Sequence, residues 1–332
     1  RFVTYGVRYD SFAGDQLVLG AISQYELNRL LQRARTAMLG ITRPIPTDLN
    51  SIHLFVPQSN LSALESHMPQ SGFDYVEARM LIDGRLTKAE IKYRGDSFWR
   101  WAWDKKSMRI KTSRQMLFEG MRSFNLLNAR SREQLNNYLS YRLADLMGLI
   151  TPRTELTRVF LNGKDKGVYF LVEQPKEIML RHRNLMPGDL YRGELIPGTK
   201  DDFREGGIRS LFESAAVWDK IAVNNHYDDD AKAPLASLLG LVGDPTSATS
   251  QAALSEMLDM EAWGRYAAYE SLTQSTHADE IHNWRLYYDP WRQKFFPVVW
   301  DTMGWFDRAR NLAFRNEVIS NSLMKALFQN IL

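Results

Sequence analysis

The stretch HADEIHNWRLYYDPWRQKFFPVVWD, from His277 to Asp301, decides how this sequence is interpreted. A polar loop leads into two apolar runs that flank an Asp-Pro turn, and this pattern predicts a β-hairpin. A hairpin returns the chain close to its starting point, so residues before its first strand lie near residues after its second. We therefore expect Asp279, Asn283 and Asp301 to converge at one end of the hairpin.

These three side chains suit the activation of a hydroxyl group beside a hard cation. An aspartate can accept a hydroxyl proton, while Asn and Asp oxygens hold Mg²⁺ together with substrate phosphates. Protein kinases use the order His-Arg-Asp, Asn, hairpin and Asp-Phe-Gly for this purpose. Here Ala278 takes the place of the Arg, and Asn283 follows Asp279 by four residues rather than five. Asp301 is followed by Thr-Met-Gly instead of Phe-Gly.

Other interpretations of this loop stay open at the level of sequence. Asp279 also fits a helix cap or a turn residue, and Asp301 also fits the end of a buried strand, where a carboxylate needs a partner. His277 and His282 together with Asp279 suit a zinc site of a hydrolase. Histidines in a loop are more often surface residues or hydrogen-bond partners, which disfavours zinc.

Closer to the N-terminus, the segment KKSMRIK at residues 105–111 predicts a strand with a cationic face. Side chains alternate along a strand, so Lys105, Arg109 and Lys111 lie on one side and the apolar residues on the other. This face is either an ordinary solvated surface or a place for phosphate groups.

The remaining pattern predicts hairpins, helices and loops. Strand-like runs at 75–82 and 86–94 flank an Asp-Gly turn, and a second hairpin is predicted between 158 and 173. A capping box at 131–134 followed by leucines at helical spacing predicts a helix. Residues 187–258 contain Gly, Pro, Asp and Ser clusters and are interpreted as helices joined by loops.

Composition excludes several classes of protein. A length of 332 residues corresponds to two domains at roughly 150 residues each. With 42 Lys and Arg against 39 Asp and Glu, the charge is too balanced for a dedicated nucleic-acid binder. The absence of cysteine excludes disulfides and thiolate catalysis. The longest aliphatic stretch, near 235–242, is far shorter than the roughly 20 residues of a membrane span, so we expect no transmembrane segment in this chain.

Several short segments occur together in one order across roughly residues 50 to 306, and each is weak alone. They are Tyr93–Ser97, Lys105–Lys111, Phe124–Asn128, Met147–Leu149, Leu161–Gly163, Gly167–Tyr169, Leu171–Gln174, Asn283–Tyr288 and Trp300-Asp301. The ordered set resembles the CotH kinase family, whose members are similar to atypical protein kinases.

The resemblance implies an α+β, two-lobed protein-kinase-like fold. We expect an N-terminal helical extension at 1–50 and a β-rich N-lobe at 51–175 that binds the nucleotide phosphates. A mainly helical C-lobe with the catalytic loop and the metal site is expected at 176–332.

It also implies an activity: transfer of a phosphoryl group from ATP, with Mg²⁺ or Mn²⁺, to Ser or Thr hydroxyls of a protein substrate. Asp279 becomes the catalytic base, and Asn283 and Asp301 become the metal ligands. The nucleotide-binding candidates lie in the N-lobe; they are Lys105, Arg109, Lys111, Glu133, Gly95, Ser97 and Glu173. Among them Glu133 is expected to pair with a lysine of the cationic strand, and Gly95 and Ser97 to cover the phosphates.

Two alternatives to protein phosphorylation stay open. One is AMP transfer or another ligation in a similar site, because a fold does not fix its chemistry. The other is an inactive scaffold for an envelope or polysaccharide assembly. The resemblance favours an extracytoplasmic location, in the periplasm, the cell envelope or the spore surface, with the cytoplasm still open, and the oligomeric state is left open.

Overall fold

A computed structural model describes most of the chain between residues 48 and 331. The described residues are 48–66, 74–94, 105–128, 134–195, 208–222, 232–275, 277–302, 304 and 321–331, with 27, 30, 31 and 34. Gly95, Ser97, Glu133 and most of the expected helical extension at 1–50 therefore lie outside the described residues.

The chain divides into two compact units, each made of two stretches. The first comprises Arg1–Asn128 and Glu155–Val172, and the second comprises Ala129–Thr154 and Glu173–Leu332. None of the helices that the structure describes is both long and apolar enough to span a bilayer.

In the first unit, seven of the described strands close into a barrel in the order β1-β2-β3-β4-β5-β7-β6. The strands are β1 (Ser51–Phe55), β2 (Val76–Ile82), β3 (Arg85–Tyr93), β4 (Met108–Thr112), β5 (Ser123–Asn128), β6 (Thr154–Leu161) and β7 (Lys164–Glu173), and helix α1 (Gln58–Ser66) follows β1. The barrel closes because β1 pairs antiparallel with β2 on one side and parallel with β6 on the other.

Two features of the sequence determine this barrel. Asp83 and Gly84 both adopt left-handed backbone, with φ of 49° and 74°, which is the geometry that a two-residue hairpin turn requires. Alternate residues of the strands point inward, so that Ile52, Ile91 and Ile110 are completely buried. Burial of each such side chain stabilises the fold by about 1.5–3 kcal/mol.

The second unit is centred on a four-stranded antiparallel sheet with the order β11-β10-β8-β9. Its strands are β8 (Asp189–Gly193), β9 (Trp218–Lys220), β10 (Trp284–Asp289) and β11 (Lys294–Pro297). Its described helices are α2 (Gln134–Leu146), α3 (Glu177–His182), α4 (Ala233–Gly243), α5 (Ala248–Met257), α6 (Met260–Thr273) and α7 (Ser322–Ile331).

Strands supply much of the core of this unit. Fully buried aromatic side chains of the sheet are Tyr191, Trp218, Trp284, Tyr287 and Phe295. Helix α6 packs its own aromatic residues against them: the Trp263 ring lies 6.3 Å from the Trp284 ring, and its indole N–H donates to the carbonyl of Phe295 at 2.9 Å.

The expected two-lobed kinase-like fold, with a mainly helical C-lobe, is wrong. The N-terminal strands close into a barrel instead of forming the open sheet of a lobe, because β1 joins β6 across more than a hundred residues. The C-terminal unit is organised around a sheet, because the region interpreted as helices and loops contains β8 and β9, which extend the hairpin of β10 and β11. The hairpin predicted between 284 and 300 is confirmed.

Candidate functional site

The polar loop before β10 and the residue after the second hairpin strand meet at His277. The imidazole Nδ1 of His277 donates to the main-chain carbonyl of Asp301 at 2.7 Å and lies 3.9 Å from the Asp301 carboxylate. The Asn283 amide nitrogen donates to the carbonyl of His277 at 3.0 Å. Asn283, before the first strand, and Asp301, after the second, therefore both contact His277 at the open end of the hairpin, where its return brings them together.

Asp279 closes the loop on itself. Its Oδ1 accepts the backbone N–H groups of Ile281 at 2.8 Å and of His282 at 3.0 Å. The Nδ1 of His282 also lies 2.9 Å from the same oxygen. All of these contacts engage one carboxylate oxygen, so Oδ2 makes none of them.

The contacts of Asp279 keep its carboxylate ionised. Burial by itself raises the pKa of Asp279, but the hydrogen bonds from the His282 side chain and from the backbone N–H groups outweigh it and hold the pKa below its ordinary value. The same contact raises the pKa of His282. The loop thus carries an anionic oxygen donor at neutral pH beside an imidazole that is readily protonated.

The predicted metal ligands share an unusual backbone conformation. Asn283 has φ of 68° and Asp301 has φ of 46°, both in the left-handed region. Asn and Asp are the non-glycine residues that adopt this region most readily, although at some cost in free energy. Asn283 is buried, whereas Asp301 retains 24% side-chain exposure.

A buried ion pair supports this end of the sheet. The Arg285 guanidinium donates to the Glu194 carboxylate at 2.9 Å and lies 5.2 Å from the centroid of the Trp300 ring. The second carboxylate oxygen of Glu194 accepts the backbone N–H of Asn283 at 3.4 Å. The signal that was missed in the sequence is a charged residue inside the apolar run of β10, because a buried arginine requires a carboxylate partner.

The donors present suit a hard cation that brings further ligands. Across the part of the chain that the structure describes, no group of three or more His, Cys, Asp or Glu side chains is placed to hold a metal ion, so the geometry does not support the zinc interpretation. Mg²⁺ is commonly held by one or two protein oxygen ligands together with waters and substrate phosphates, and not in an all-protein cage. The carboxylate of Asp301 and the amide oxygen of Asn283 fit that donor set.

The cationic residues of the first unit contact three different strands. Lys105 donates to the carbonyl of Val168 on β7, the Arg109 Nε donates to Asn125 on β5 at 2.9 Å, and Lys111 lies 2.7 Å from Glu90 on β3. The alternation predicted for this strand is confirmed within β4.

Lys105 differs from the other two cations in its environment. Its ammonium lies 4.5 Å from the centroid of the Tyr169 ring. Burial lowers the pKa of Lys105 to about 8, while Asp165 acts in the opposite direction. Nearby, a cleft of about 360 Å³ in this unit is lined by Lys106 and Lys166, among other residues.

The Glu173 side chain is held by other residues of the protein. Its fully buried carboxylate lies 3.1 Å from Nδ1 of His182 and accepts the backbone N–H of Arg153 at 3.2 Å. The side chain therefore fixes the end of β7, while the part of Glu173 in nucleotide binding stays a prediction.

Comparison with known proteins assigns the chain to a family. A family model described as CotH kinase protein matches residues 91–332. Inner spore coat protein H of Bacillus subtilis (strain 168) is 24% identical over 262 residues, which cover 77% of this chain and 68% of that protein. Because the family model matches well over half of its length, the chain belongs to the CotH kinase protein family.

Proposed function

We propose that this protein transfers a phosphoryl group from ATP to a Ser or Thr hydroxyl of a protein substrate. Membership in the CotH kinase protein family supports the reaction class. The observation that carries the proposal is the convergence of Asn283 and Asp301 on His277, beside Asp279 in the same loop.

Asp279 orients the acceptor hydroxyl in this proposal. Its pKa lies below the ordinary value, so the carboxylate is ionised at neutral pH and can accept a hydrogen bond from a hydroxyl group. We assign this contact to Oδ2, because Oδ1 is already occupied by Ile281, by the backbone of His282 and by its imidazole. The closed loop fixes the direction of the carboxylate, and positioning supplies a large part of the acceleration in phosphoryl transfer.

Asn283 and Asp301 provide the oxygen donors for the cation. Bound Mg²⁺ would neutralise the charge of the phosphate groups during transfer. The protein prepares this site by fixing two backbones in the left-handed region and by bridging them through His277.

The experiment is a γ-phosphate transfer assay with ATP and Mg²⁺, read as autophosphorylation and as phosphorylation of a degenerate Ser/Thr peptide library. We compare wild type with Asp279→Asn, Asn283→Ala and Asp301→Asn. Asp244→Asn is the matched control, because Asp244 is an exposed carboxylate of the same unit. The proposal expects a loss of about 10²- to 10⁴-fold in the first variant and an unchanged rate in the control.

The outcomes separate the alternatives. Intact mass distinguishes an added phosphate from an added AMP, so a product that carries AMP would replace phosphorylation by nucleotide transfer. Equal transfer by all the variants would refute the site assignment. The failure of wild type to transfer any group would leave the scaffold role.

The roles of the first unit stay predictions that a binding experiment can test. Phosphate contacts are predicted for Lys105, Arg109 and Lys111. ATP binding to Lys105→Met should weaken relative to wild type, with Lys88→Met as a control because Lys88 is an exposed lysine of the barrel. The predicted contributions of Gly95, Ser97 and Glu133 can be tested by the same titration.

We also propose an extracytoplasmic location, such as the spore surface or the cell envelope. The support is the relative from Bacillus subtilis, which is an inner spore coat protein. Immunoblots of spore coat, envelope and cytoplasmic fractions test this proposal, and recovery in the cytoplasmic fraction alone would refute it.

A further inference from the structure

Helix α2 buries polar side chains in the second unit, while three of its leucines are exposed. Ser140 and Tyr141 are buried, with 0% and 3% exposure. By contrast, Leu135, Leu139 and Leu146 are more than half exposed. Burial of a hydroxyl group costs free energy unless the group is hydrogen-bonded. We therefore expect the buried hydroxyl groups of α2 to have a function that offsets this cost.

The buried hydroxyls of α2 contact the turn that follows Asp301. The Asp301 backbone N–H donates to the Tyr141 hydroxyl oxygen at 2.8 Å. Gly304 packs directly on the helix: a Cβ atom at this position would collide with the Ser140 hydroxyl and lie 3.0 Å from the Cβ of Thr273. Contacts with α2 therefore restrain the backbone at both Asp301 and Gly304.

Helix α6 completes this arrangement from the other side. Burial raises the pKa of the Tyr269 phenol, and the nearby hydroxyls of Thr302, Ser140 and Thr273 partly offset the rise. The Tyr269, Ser140 and Thr302 hydroxyls are buried without a well-formed hydrogen bond of their own to any residue that the structure describes. Thr302, the residue after Asp301, is 3% exposed. We call Ser140, Tyr141 and Tyr269 the hydroxyl seat.

We propose that the hydroxyl seat positions the backbone around Asp301 through its contacts at Asp301 and Gly304, and thereby aims the Asp301 carboxylate at the cation. The inference rests on the proposed function, in which Asp301 is a metal ligand. Ser140, Tyr141 and Tyr269 are positioning residues, since they contact the turn and not the cation.

The backbone of Asp301 explains why such a seat is needed. A non-glycine residue with φ of 46° is strained, and this conformation persists only where the surroundings fix it. The hydrogen bond to Tyr141 and the carbonyl contact with His277 fix the peptide groups on the two sides of its Cα. Loss of either restraint lets the carboxylate leave its direction while the ligand itself is still present.

The first test is Tyr141→Phe, which removes the acceptor oxygen but keeps the ring. We expect the apparent affinity for Mn²⁺ in the presence of a non-hydrolysable ATP analogue to fall about three- to tenfold, as the loss of one neutral hydrogen bond implies. The Asp301 amide should also exchange its hydrogen faster. Tyr138→Phe, on the same helix, is the matched control and should leave both measurements unchanged.

The second test uses the contact between Gly304 and Ser140. Gly304→Ala should weaken Mn²⁺ affinity, and the double variant Ser140→Ala with Gly304→Ala should recover part of it because the colliding oxygen is gone. A structural role alone predicts no such recovery of metal affinity. The thermal unfolding of each variant is also measured, so that a variant that fails to fold is recognised. If the Gly304 variants fail to fold, the Tyr141→Phe result alone decides whether the proposal holds.

The readouts separate the two proposals. If wild type shows no phosphoryl transfer but Tyr141→Phe still weakens Mn²⁺ binding, the proposed function fails and the seat stands. If wild type transfers phosphate while Tyr141→Phe retains wild-type Mn²⁺ affinity and Asp301 amide protection, the seat is refuted and the proposed function stands.

Discussion

Arg285 and Glu194 form a largely buried ion pair, with 2.9 Å between the guanidinium and carboxylate atoms, and Glu194 also accepts the backbone N–H of Asn283 in the candidate site. Breaking one partner of a buried pair leaves an uncompensated charge and costs about 3–5 kcal/mol. We therefore expect Arg285→Met to lower the free energy of unfolding by that amount in chemical denaturation.

The sheet offers a matched control for this substitution. Arg192 lies opposite Arg285 on the neighbouring strand and pairs with Asp219 at the surface. Exposed pairs contribute at most about 1 kcal/mol, so Arg192→Met should be nearly neutral. Equal losses in the two variants would show that Arg285 and Glu194 do not interact as a desolvated pair.

Glu270 makes folding dependent on pH. It is 1% exposed, and burial raises its pKa from 4.5 to about 8, with the Tyr266 hydroxyl acting in the opposite direction. Between these two values the folded protein holds a proton that the unfolded chain has lost. The contribution of Glu270 to stability is therefore greatest below pH 4.5, falls by about 1.4 kcal/mol per pH unit as the pH rises through this window, and levels off above about 8.

Glu270→Gln keeps the shape of the neutral acid and cannot ionise. Denaturant titrations at about pH 5 to 9, a range that includes the raised pKa, should show this slope in wild type and lack its contribution in the variant. Slopes that agree between the two proteins would mean that Glu270 ionises normally in the fold.

The turn between β2 and β3 should depend on glycine for its backbone alone. Gly84 has φ of 74°, and a Cβ atom there meets nothing within 4 Å. Gly84→Ala should therefore destabilise the protein by about 1 kcal/mol without any clash. Gly240→Ala, in α4 and equally free of contacts, should stabilise it by about 0.5–1 kcal/mol in the same denaturation assay. Destabilisation of similar size at both positions would rule out the backbone as the cause.

Removal of divalent cations should abolish activity reversibly. Treatment with a chelator should stop phosphoryl transfer, and the addition of Mg²⁺ or Mn²⁺ should restore it, because the donors of Asn283 and Asp301 suit hard cations. Zn²⁺ should restore little, because it prefers His and Cys ligands in proteins. Full activity in the presence of the chelator would contradict the proposal.

Local patterns in the sequence were sufficient to predict the hairpins. The Asp-Gly turn at 83–84 and the return of the chain between β10 and β11 are both set by neighbouring residues, and both are confirmed. The hairpin of β10 and β11 also brings Asn283 and Asp301 together at His277, and the proximity of these two residues was expected for the same reason.

The pairings that determine the architecture are remote in sequence and leave no local signal. β1 joins β6, and β8 joins β10 about ninety residues later, so neither the closed barrel nor the central sheet is visible in a short window. The leucines of α2 show the limit of periodicity: they mark a helix, yet the buried face carries Ser140 and Tyr141. A hydroxyl face of this kind becomes visible only when its partners on α6 and on the turn are in place.

The left-handed backbones of Asn283 and Asp301 have a consequence for sequence variation. Positions with φ near 50–70° accept glycine, asparagine and aspartate far more readily than other residues. Hard cations prefer oxygen donors such as the amide of asparagine and the carboxylate of aspartate. Steric tolerance and donor chemistry thus select the same two amino acids independently, because glycine, which this backbone also accepts, carries no side-chain oxygen for a cation.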